Sequence, residues 1–507
     1  MSQTDLLING QWRGASDGGT RTVVCPADGA VVGTVSEATT ADARDAVAAA
    51  RRAFDADGWS TTPAPDRAAI LHGLADRLTA QKDDVARLEA LDTGKRLVEA
   101  RLDMDDIIGV FRHFASLAQA DGGRVVDTGM ANVSSRVVHE PVGVCALITP
   151  WNYPLLQTAW KVAPALAAAN TFVLKPSELT PHTSIWLVRE LTDLGLPDGV
   201  ANLVLGSGAT VGAAMTDDPR VDLVSFTGGL HTGRRIMAAA APTVKRVALE
   251  LGGKNPNIIF ADAALPAAID NALTAIFLDS GQVCSAGSRL IVEESVHDQV
   301  VDEMVRRADG IRLGGPFDEH AESGPLISAD HLAKVQAYVD TAVHEGAQLR
   351  CGGARSTDRS HTDGNYFLPT VLDGCHGGMQ CVQDESFGPV VTVETFAGST
   401  RDEAEDAAVA LANDTIYGLA GAVWTENAGR AERVAGRLRH GTIWINDFHP
   451  YVPQAEWGGF KQSGIGRELG LAGLDEYRET KHIWHNTRPA PAGWFAVRES
   501  QDLEEDA

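Results

Sequence analysis

From about residue 143 onward, short continuous apolar runs alternate with stretches of helical pattern, and this alternation constrains the fold more than any other feature. Residues 143–149 (GVCALIT) predict a buried strand, and 171–174, 202–205, 223–226 and 244–249 predict more of them. Helical patterns over 160–169, 182–194 and 232–241 lie between. Strands that are apolar throughout, separated by helices, predict parallel sheets covered on both faces, the α/β class. Any ligand then sits beyond the carboxyl ends of the strands. A second alternating block follows Leu251, with strands expected at 256–261 and 288–293 and helices at 266–279 and 296–308. Two α/β domains are expected. The first 120 residues read as mostly helical; 66–91 carries Ile70, Leu71, Leu74 and Leu78 at helical spacing. The segments 310–325 and 351–365 read as surface loops, and 499–507 as a frayed, solvated end.

With 507 residues, 43 Lys+Arg and 68 Asp+Glu, the formal net charge is −25. A field this acidic repels phosphate backbones, which excludes nucleic-acid binding through bulk charge. The six cysteines, at 25, 145, 284, 351, 375 and 381, form no CxxC pair and have no histidine at zinc-finger spacing. Reduced thiols are expected, and no metal. No signal peptide is visible, and the most apolar region, 162–174, is broken by Pro164 and Asn170. A soluble cytoplasmic protein without a membrane partner is the expectation.

Cys284 stands apart from the other cysteines. It lies in 277–288 (FLDSGQVCSAGS), where small residues let a carbonyl approach a thiolate. Glu250, in 249–256 (LELGGKNP), ends a strand before a Gly-Gly turn and is placed to act as a general base. Asn152, in TPWNYP, offers a side-chain amide to a developing oxyanion. Two glycine-rich loops follow strands, GSGATVG at 206–212 and FTGGLHTG at 226–233; neither alone specifies a phosphate site. Lysine is scarce, nine in the chain, which draws attention to Lys161 and Lys175.

TPWNYP, LKPSE, FTGG, LELGGKNP, GQVC, ESFGP and KQSGIGRELG occur in this order along nearly the whole chain. Together they resemble the NAD(P)-dependent aldehyde dehydrogenase superfamily, and 446–469 resembles its betaine aldehyde branch. The resemblance implies a Rossmann-like NAD-binding domain (1–121 and 142–251) and an α/β catalytic domain (252–452). It also implies a small β oligomerisation element (122–141 and 470–490) and a C-terminal tail (491–507), in a homodimer or homotetramer.

By the same resemblance Cys284 is the nucleophile, Glu250 the base that activates water, and Asn152 an oxyanion donor. Lys161 and Glu468 form a proton relay. The implied cofactor is NAD rather than NADP, because Glu178 near the adenine ribose repels a 2′-phosphate. Lys175 and Ser177 flank Glu178. Trp151, Gly208, Phe226 and Thr227 are further cofactor residues, as are Leu251 and Gly252. Gly228 and Gly233 belong to the pyrophosphate loop, with Gly229 where many members carry serine. Glu385 and Phe387 lie toward the nicotinamide. The aldehyde tunnel is assigned to Tyr153, Gln157, Trp160, Val283, Ser285, Tyr451 and Trp457, with Leu278 where plant betaine aldehyde enzymes have tryptophan. Tyr153, Trp160 and Trp457 are expected to box a quaternary ammonium, with Glu456 adding negative potential. Some members of the betaine aldehyde branch hold a monovalent cation near the position of Asp92; Val23 stands where a side-chain ligand often sits, so no metal is assigned. The implied reaction is oxidation of betaine aldehyde to its carboxylate through a cysteine thiohemiacetal and thioester; the alternatives are an aminoaldehyde (4-aminobutyraldehyde or 4-trimethylaminobutyraldehyde) or a broad range of aldehydes. Readings from other classes are a non-redox thiol hydrolase or acyltransferase, and an inactive binding protein on the same fold.

Overall fold

Val144–Ile148 is buried at all five positions, as a strand must be when helices cover both its faces. It pairs in parallel with Leu223–Thr227 on one side and Thr171–Lys175 on the other. Arg246–Glu250 and Ala201–Leu203 extend these five parallel strands within an eight-stranded sheet. The edges are antiparallel: Gly464–Ile465 lies against Arg246–Glu250, and Leu6–Ile8 and Gln11–Arg13 close the other side. Five parallel strands deliver their following loops to one face, where a cleft forms. The computed structural model describes residues 6–56, 58–120 and 122–495. The stretch 499–507, expected to be a frayed end, lies outside the described residues.

The second sheet has seven strands, with Pro256–Ile259 and Arg289–Glu293 near its centre. Val390–Phe396, Thr370–Asp373, Ala420–Trp424 and Thr442–Ile445 run parallel to them, and Gln348–Cys351 is antiparallel. A separate three-stranded sheet pairs Val133–Pro141 with Arg124–Val126 and with Arg478–Asn486. The α/β architecture read from the alternation is therefore the one observed.

The first 120 residues are mostly helical, as expected, and two other local expectations are corrected. The same 120 residues also contain four strands, two at the edge of the large sheet and a hairpin of Thr20–Val24 with Val31–Ser36. Their mixed, partly exposed sequences carry no clean period-two signal. The expected helix over 66–91 is two helices, Ala64–Ala80 and Lys82–Thr93, which part at Gln81 (φ −110°, ψ 14°). The strand expected from 244 begins at Arg246, because Val244 is left-handed (φ 53°) in the preceding turn.

Among the described residues no helix is long and apolar enough to cross a membrane. The six cysteines are free thiols. No group of three His, Cys, Asp or Glu side chains is arranged to hold a metal among the described residues. Asp92 is instead engaged by His182, whose Nδ1 lies 2.7 Å from one carboxylate oxygen and whose backbone N–H donates to the other at 3.0 Å.

Candidate active site

Cys284 is delivered by a strained turn. Helix Leu265–Phe277 ends and three consecutive residues turn left-handed: Asp279 (φ 46°), Ser280 (φ 55°) and Gly281 (φ 73°). Gly281 has no substitute there, since a Cβ would stand 2.2 Å from the Gly388 carbonyl oxygen. Strain of this kind persists only where surrounding contacts over-determine it. Gln282 supplies several: its side-chain amide donates to the Asp279 and Pro325 carbonyls, and its oxygen accepts the Ile327 N–H at 2.9 Å. Asn255 Nδ2 donates to the carbonyls of Cys284 and Ala286, both at 2.9 Å. The nucleophile is thus held from both sides of its own peptide.

Asn152 follows the central strand and is buried; its Nδ2 donates to the Gln282 carbonyl at 2.8 Å, which leaves its second N–H for a ligand. Glu250 ends its strand, also buried. One carboxylate oxygen accepts the Trp457 indole N–H at 3.1 Å, and the other has no partner among the described residues. Burial, reinforced by the Glu468 carboxylate, pushes the Glu250 carboxyl up to about 8. Burial also raises the Cys284 thiol well above its ordinary range, and the Glu250 and Glu385 carboxylates raise it further. Lys161 and Glu468 form a fully buried ion pair beneath this site, linking a helix of the first sheet to the C-terminal segment.

Two cavities meet at Cys284, Tyr153 and Gln157. The first, about 260 Å³, is lined by Trp151, Thr227, Gly228, Gly229, Leu251, Gly252, Glu385 and Phe387. Here the glycines have physical reasons. A Cβ on Gly252 would sit 2.0 Å from a Glu385 carboxylate oxygen, and one on Gly228 would strike the Phe226 ring. Glu385 accepts the Gly253 N–H at 3.1 Å, and burial pushes its carboxyl up to about 7. Helix Leu230–Ala240 starts at Gly229 with no side-chain cap, and the space beside Gly229 is open. Uncapped N–H groups facing an open cavity fit a diphosphate.

Not every assigned cofactor residue lies on this cavity. Gly233 lies one turn into the helix: its N–H is bonded to the Gly229 carbonyl, and a Cβ there would meet Leu251. Phe226 is buried and backs Gly228. Lys175, Ser177 and Glu178 follow the next strand, with Lys175 in ion-pair contact with Glu178 and packed against Gly212, in the turn that opens at Gly208. Arg21 and Glu37, which sequence reasoning passed over, form an ion pair close to this group, and Glu37 accepts the Ser207 N–H. His331 and Lys334, also passed over, line the first cavity.

The second cavity, about 350 Å³, contains every residue assigned to the tunnel: Tyr153, Gln157, Trp160, Leu278, Val283, Ser285, Tyr451 and Trp457. The aromatic box differs from the expected one. Trp160, Tyr451 and Trp457 pack edge-on in a triangle with ring centroids 5.5 to 6.1 Å apart. Tyr153 stands outside that triangle, with the buried Lys95 ammonium 3.8 Å from its ring centroid. The Lys95 ammonium takes one face of that ring, and Tyr153 still lines the tunnel. Glu456 is exposed, accepts the Ala472 N–H and is absent from the lining. Negative potential comes instead from Glu99, Asp103 and Asp106 on helix Leu97–Ala120. Asp103 is ion-paired to Lys95 at 2.8 Å, whereas Asp106 accepts only a neutral donor among the described contacts, the Tyr451 hydroxyl at 2.9 Å. These carboxylates were legible only as part of a helical stretch.

A thiol beside an amide donor and a buried carboxylate, between a glycine-lined cavity and an aromatic one, is a constellation for acyl chemistry with a second ligand facing the nucleophile. The aldehyde dehydrogenase family model matches residues 12–483. The chain belongs to the aldehyde dehydrogenase family. It is 53% identical over 495 residues to betaine aldehyde dehydrogenase of Bacillus subtilis, covering 98% of this chain and 100% of that one. Aminoaldehyde dehydrogenase 2 of Zea mays is 44% identical over 498 residues, with 97% of both chains covered. Betaine aldehyde dehydrogenase of Staphylococcus aureus, solved in complex with NAD+, superposes with a TM-score of 0.95 at 49% identity, covering 97% of each chain.

Proposed function

We propose that this enzyme oxidises betaine aldehyde to glycine betaine with NAD. The observation that carries the reading is the meeting at Cys284 of a cavity fitted to a dinucleotide and an aromatic tunnel that presents an uncompensated carboxylate, Asp106. Aromatic faces and one carboxylate suit a quaternary ammonium, which offers no hydrogen-bond donor.

Cys284 Sγ attacks the aldehyde carbon, and its proton passes to Glu250, whose raised affinity for protons fits it to the task. The oxyanion is met by the free N–H of Asn152 and the backbone N–H of Cys284. NAD, when bound, supplies the hydride acceptor. Gly228 and Gly229 at the uncapped helix start would hold its diphosphate, Lys175 and Glu178 its adenine ribose, and Glu385 with Phe387 its nicotinamide end. Once the thiol's proton has left through the Lys161–Glu468 pair, Glu250, a free carboxylate again, takes a proton from water, which hydrolyses the thioester left on Cys284. The buried Lys161–Glu468 pair carries that proton away from the site.

Glu178, a carboxylate where a 2′-phosphate would sit, favours NAD over NADP. Aminoaldehydes are the second reading, favoured by the same Asp106, since a carboxylate pairs with a primary ammonium as readily. The three-stranded sheet exposes Val125 (84%) and Trp484 (52%), which supports a homodimer or homotetramer built through it. The cytoplasm is the proposed compartment. Steady-state rates with betaine aldehyde, 4-aminobutyraldehyde and propanal test the assignment: betaine aldehyde is expected to give the highest kcat/KM, and equal values for propanal would overturn it.

A further inference from the structure

Behind the cofactor side of the site, two thiols touch. Cys375 follows strand Thr370–Asp373 and Cys381 lies in the short helix Gln380–Gln383, with their sulfurs 4.0 Å apart. Both are buried, and neither belongs to the machinery described above. Their surroundings are not those of an inert apolar pair. The buried Lys254 ammonium donates to the Tyr338 hydroxyl at 3.0 Å, and that hydroxyl donates to the carbonyls of Cys381 and Asp384. Lys254 acts electrostatically on both sulfurs. The contact with the Cys375 sulfur, with Lys254 in support, eases ionisation of Cys381.

We propose that Cys375 and Cys381 are a modification site, oxidised by a small hydroperoxide to a disulfide that weakens cofactor binding. The Cys381 thiolate attacks the O–O bond; the sulfur takes one oxygen as a sulfenic acid, and the other oxygen leaves and is protonated. Cys375, giving up its proton, attacks the Cys381 sulfur, forms the S–S bond and expels water. Two thiols lose two electrons and the O–O bond gains them. With hydrogen peroxide the by-products are two waters.

The consequence follows from position. Bonded sulfurs sit about 2.05 Å apart, so closing the pair draws helix Gln380–Gln383 toward Cys375. Glu385 and Phe387 follow that helix within about one further turn of chain. Little slack exists there. Gly252 and Gly253 hug Glu385, and Phe387 is left-handed (φ 55°) with its carbonyl 2.6 Å from His331 Nε2. This coupling rests on the reading that Glu385 and Phe387 contact NAD; formation of the disulfide does not.

The test uses the full chain as Cys284→Ser, so that oxidation of the nucleophile is out of play. Trypsin releases residues 360–401 as one peptide that contains Cys375 and Cys381 and no other cysteine. After hydrogen peroxide that peptide is expected to lose two hydrogens and to resist alkylation, and dithiothreitol should reverse both changes. NAD titrated by calorimetry should bind the oxidised protein about fivefold or more weakly than the reduced, and Cys375→Ala should abolish the difference. Oxidised and reduced forms of the same chain make the comparison even if Cys375→Ala does not fold. Persistence of two free thiols after peroxide overturns the site. A disulfide with unchanged NAD affinity overturns the coupling. Failure of the reduced chain to bind NAD overturns instead the cofactor reading.

Discussion

Trp457 donates its indole N–H to Glu250 at 3.1 Å. The same ring forms one side of the aromatic triangle in the aldehyde tunnel, so the wall that receives substrate also holds the base. Trp457→Phe keeps a ring and removes the donor. The Glu250 carboxylate then loses a stabilising bond and its pKa rises, by about one unit for a bond of roughly 1.5 kcal/mol. The expected result is an upward displacement of the pH–rate profile with a smaller change in KM for betaine aldehyde. An unmoved profile would separate Trp457 from the base.

Glu250 titrates at about 8, held up by burial. Above that pH the carboxylate is available, so kcat limited by thioester hydrolysis should rise with pH through about 8. The stability consequence has the opposite sign. Folding raises the proton affinity, so the contribution to stability is fully present below the ordinary glutamate value of 4.5 and is lost as pH rises toward 8. Glu250→Gln should lower turnover by about 10²–10⁴-fold and, because the same carboxylate receives the thiol's proton, slow the first burst of NADH as well. It should also flatten the fall in thermal midpoint between those pH values, which calorimetry reads directly.

Asp106 stands at the exposed mouth of the tunnel, where partial desolvation and the neighbouring Asp103 and Asp105 carboxylates push it up to about 6, against the lowering effect of the Tyr451 hydroxyl. A cationic aldehyde should therefore show a KM that rises as pH falls through 6, while KM for propanal stays level. Asp106→Asn should raise KM for betaine aldehyde about fivefold, near 1 kcal/mol, and remove that pH dependence.

The sequence made the reacting centre legible because its motifs are local. Cys284, Glu250 and Asn152 each sit in a short run of small or turn residues after a strand or helix, and the structure gathers them around one cleft. What it left hidden depends on tertiary pairing. Asp103 and Asp106 occur on a helix whose own pattern gives no sign of which carboxylates face the tunnel. Nothing local to Tyr153 signals that Lys95, 58 residues earlier, packs on one face of its ring. Glu456 is adjacent to Trp457 in sequence, yet it follows the turn at 453–455 and stays exposed, while Trp457 bridges to Glu468 and is buried. The edge strands near the N-terminus were missed for a similar reason, since their stability comes from the sheet they join and not from their own pattern.

Lys161 and Glu468 are both buried, so each compensates a charge that water cannot reach. Lys161→Met should leave Glu468 unpaired and cost about 3–5 kcal/mol, read as a lower urea midpoint. Adding Glu468→Leu should recover most of that loss without restoring turnover. Recovery of full activity in the double variant would remove the pair from the proton path.

The central claim is a Cys284-dependent, NAD-linked oxidation of a cationic aldehyde. Its most direct measurement is NADH formation by the purified full chain with NAD and, in turn, betaine aldehyde, 4-aminobutyraldehyde, 4-trimethylaminobutyraldehyde and propanal, each beside Cys284→Ala. The account predicts turnover that is greatest with betaine aldehyde and absent in the variant. Turnover that survives loss of Cys284, or a rate with propanal equal to that with betaine aldehyde, would contradict it.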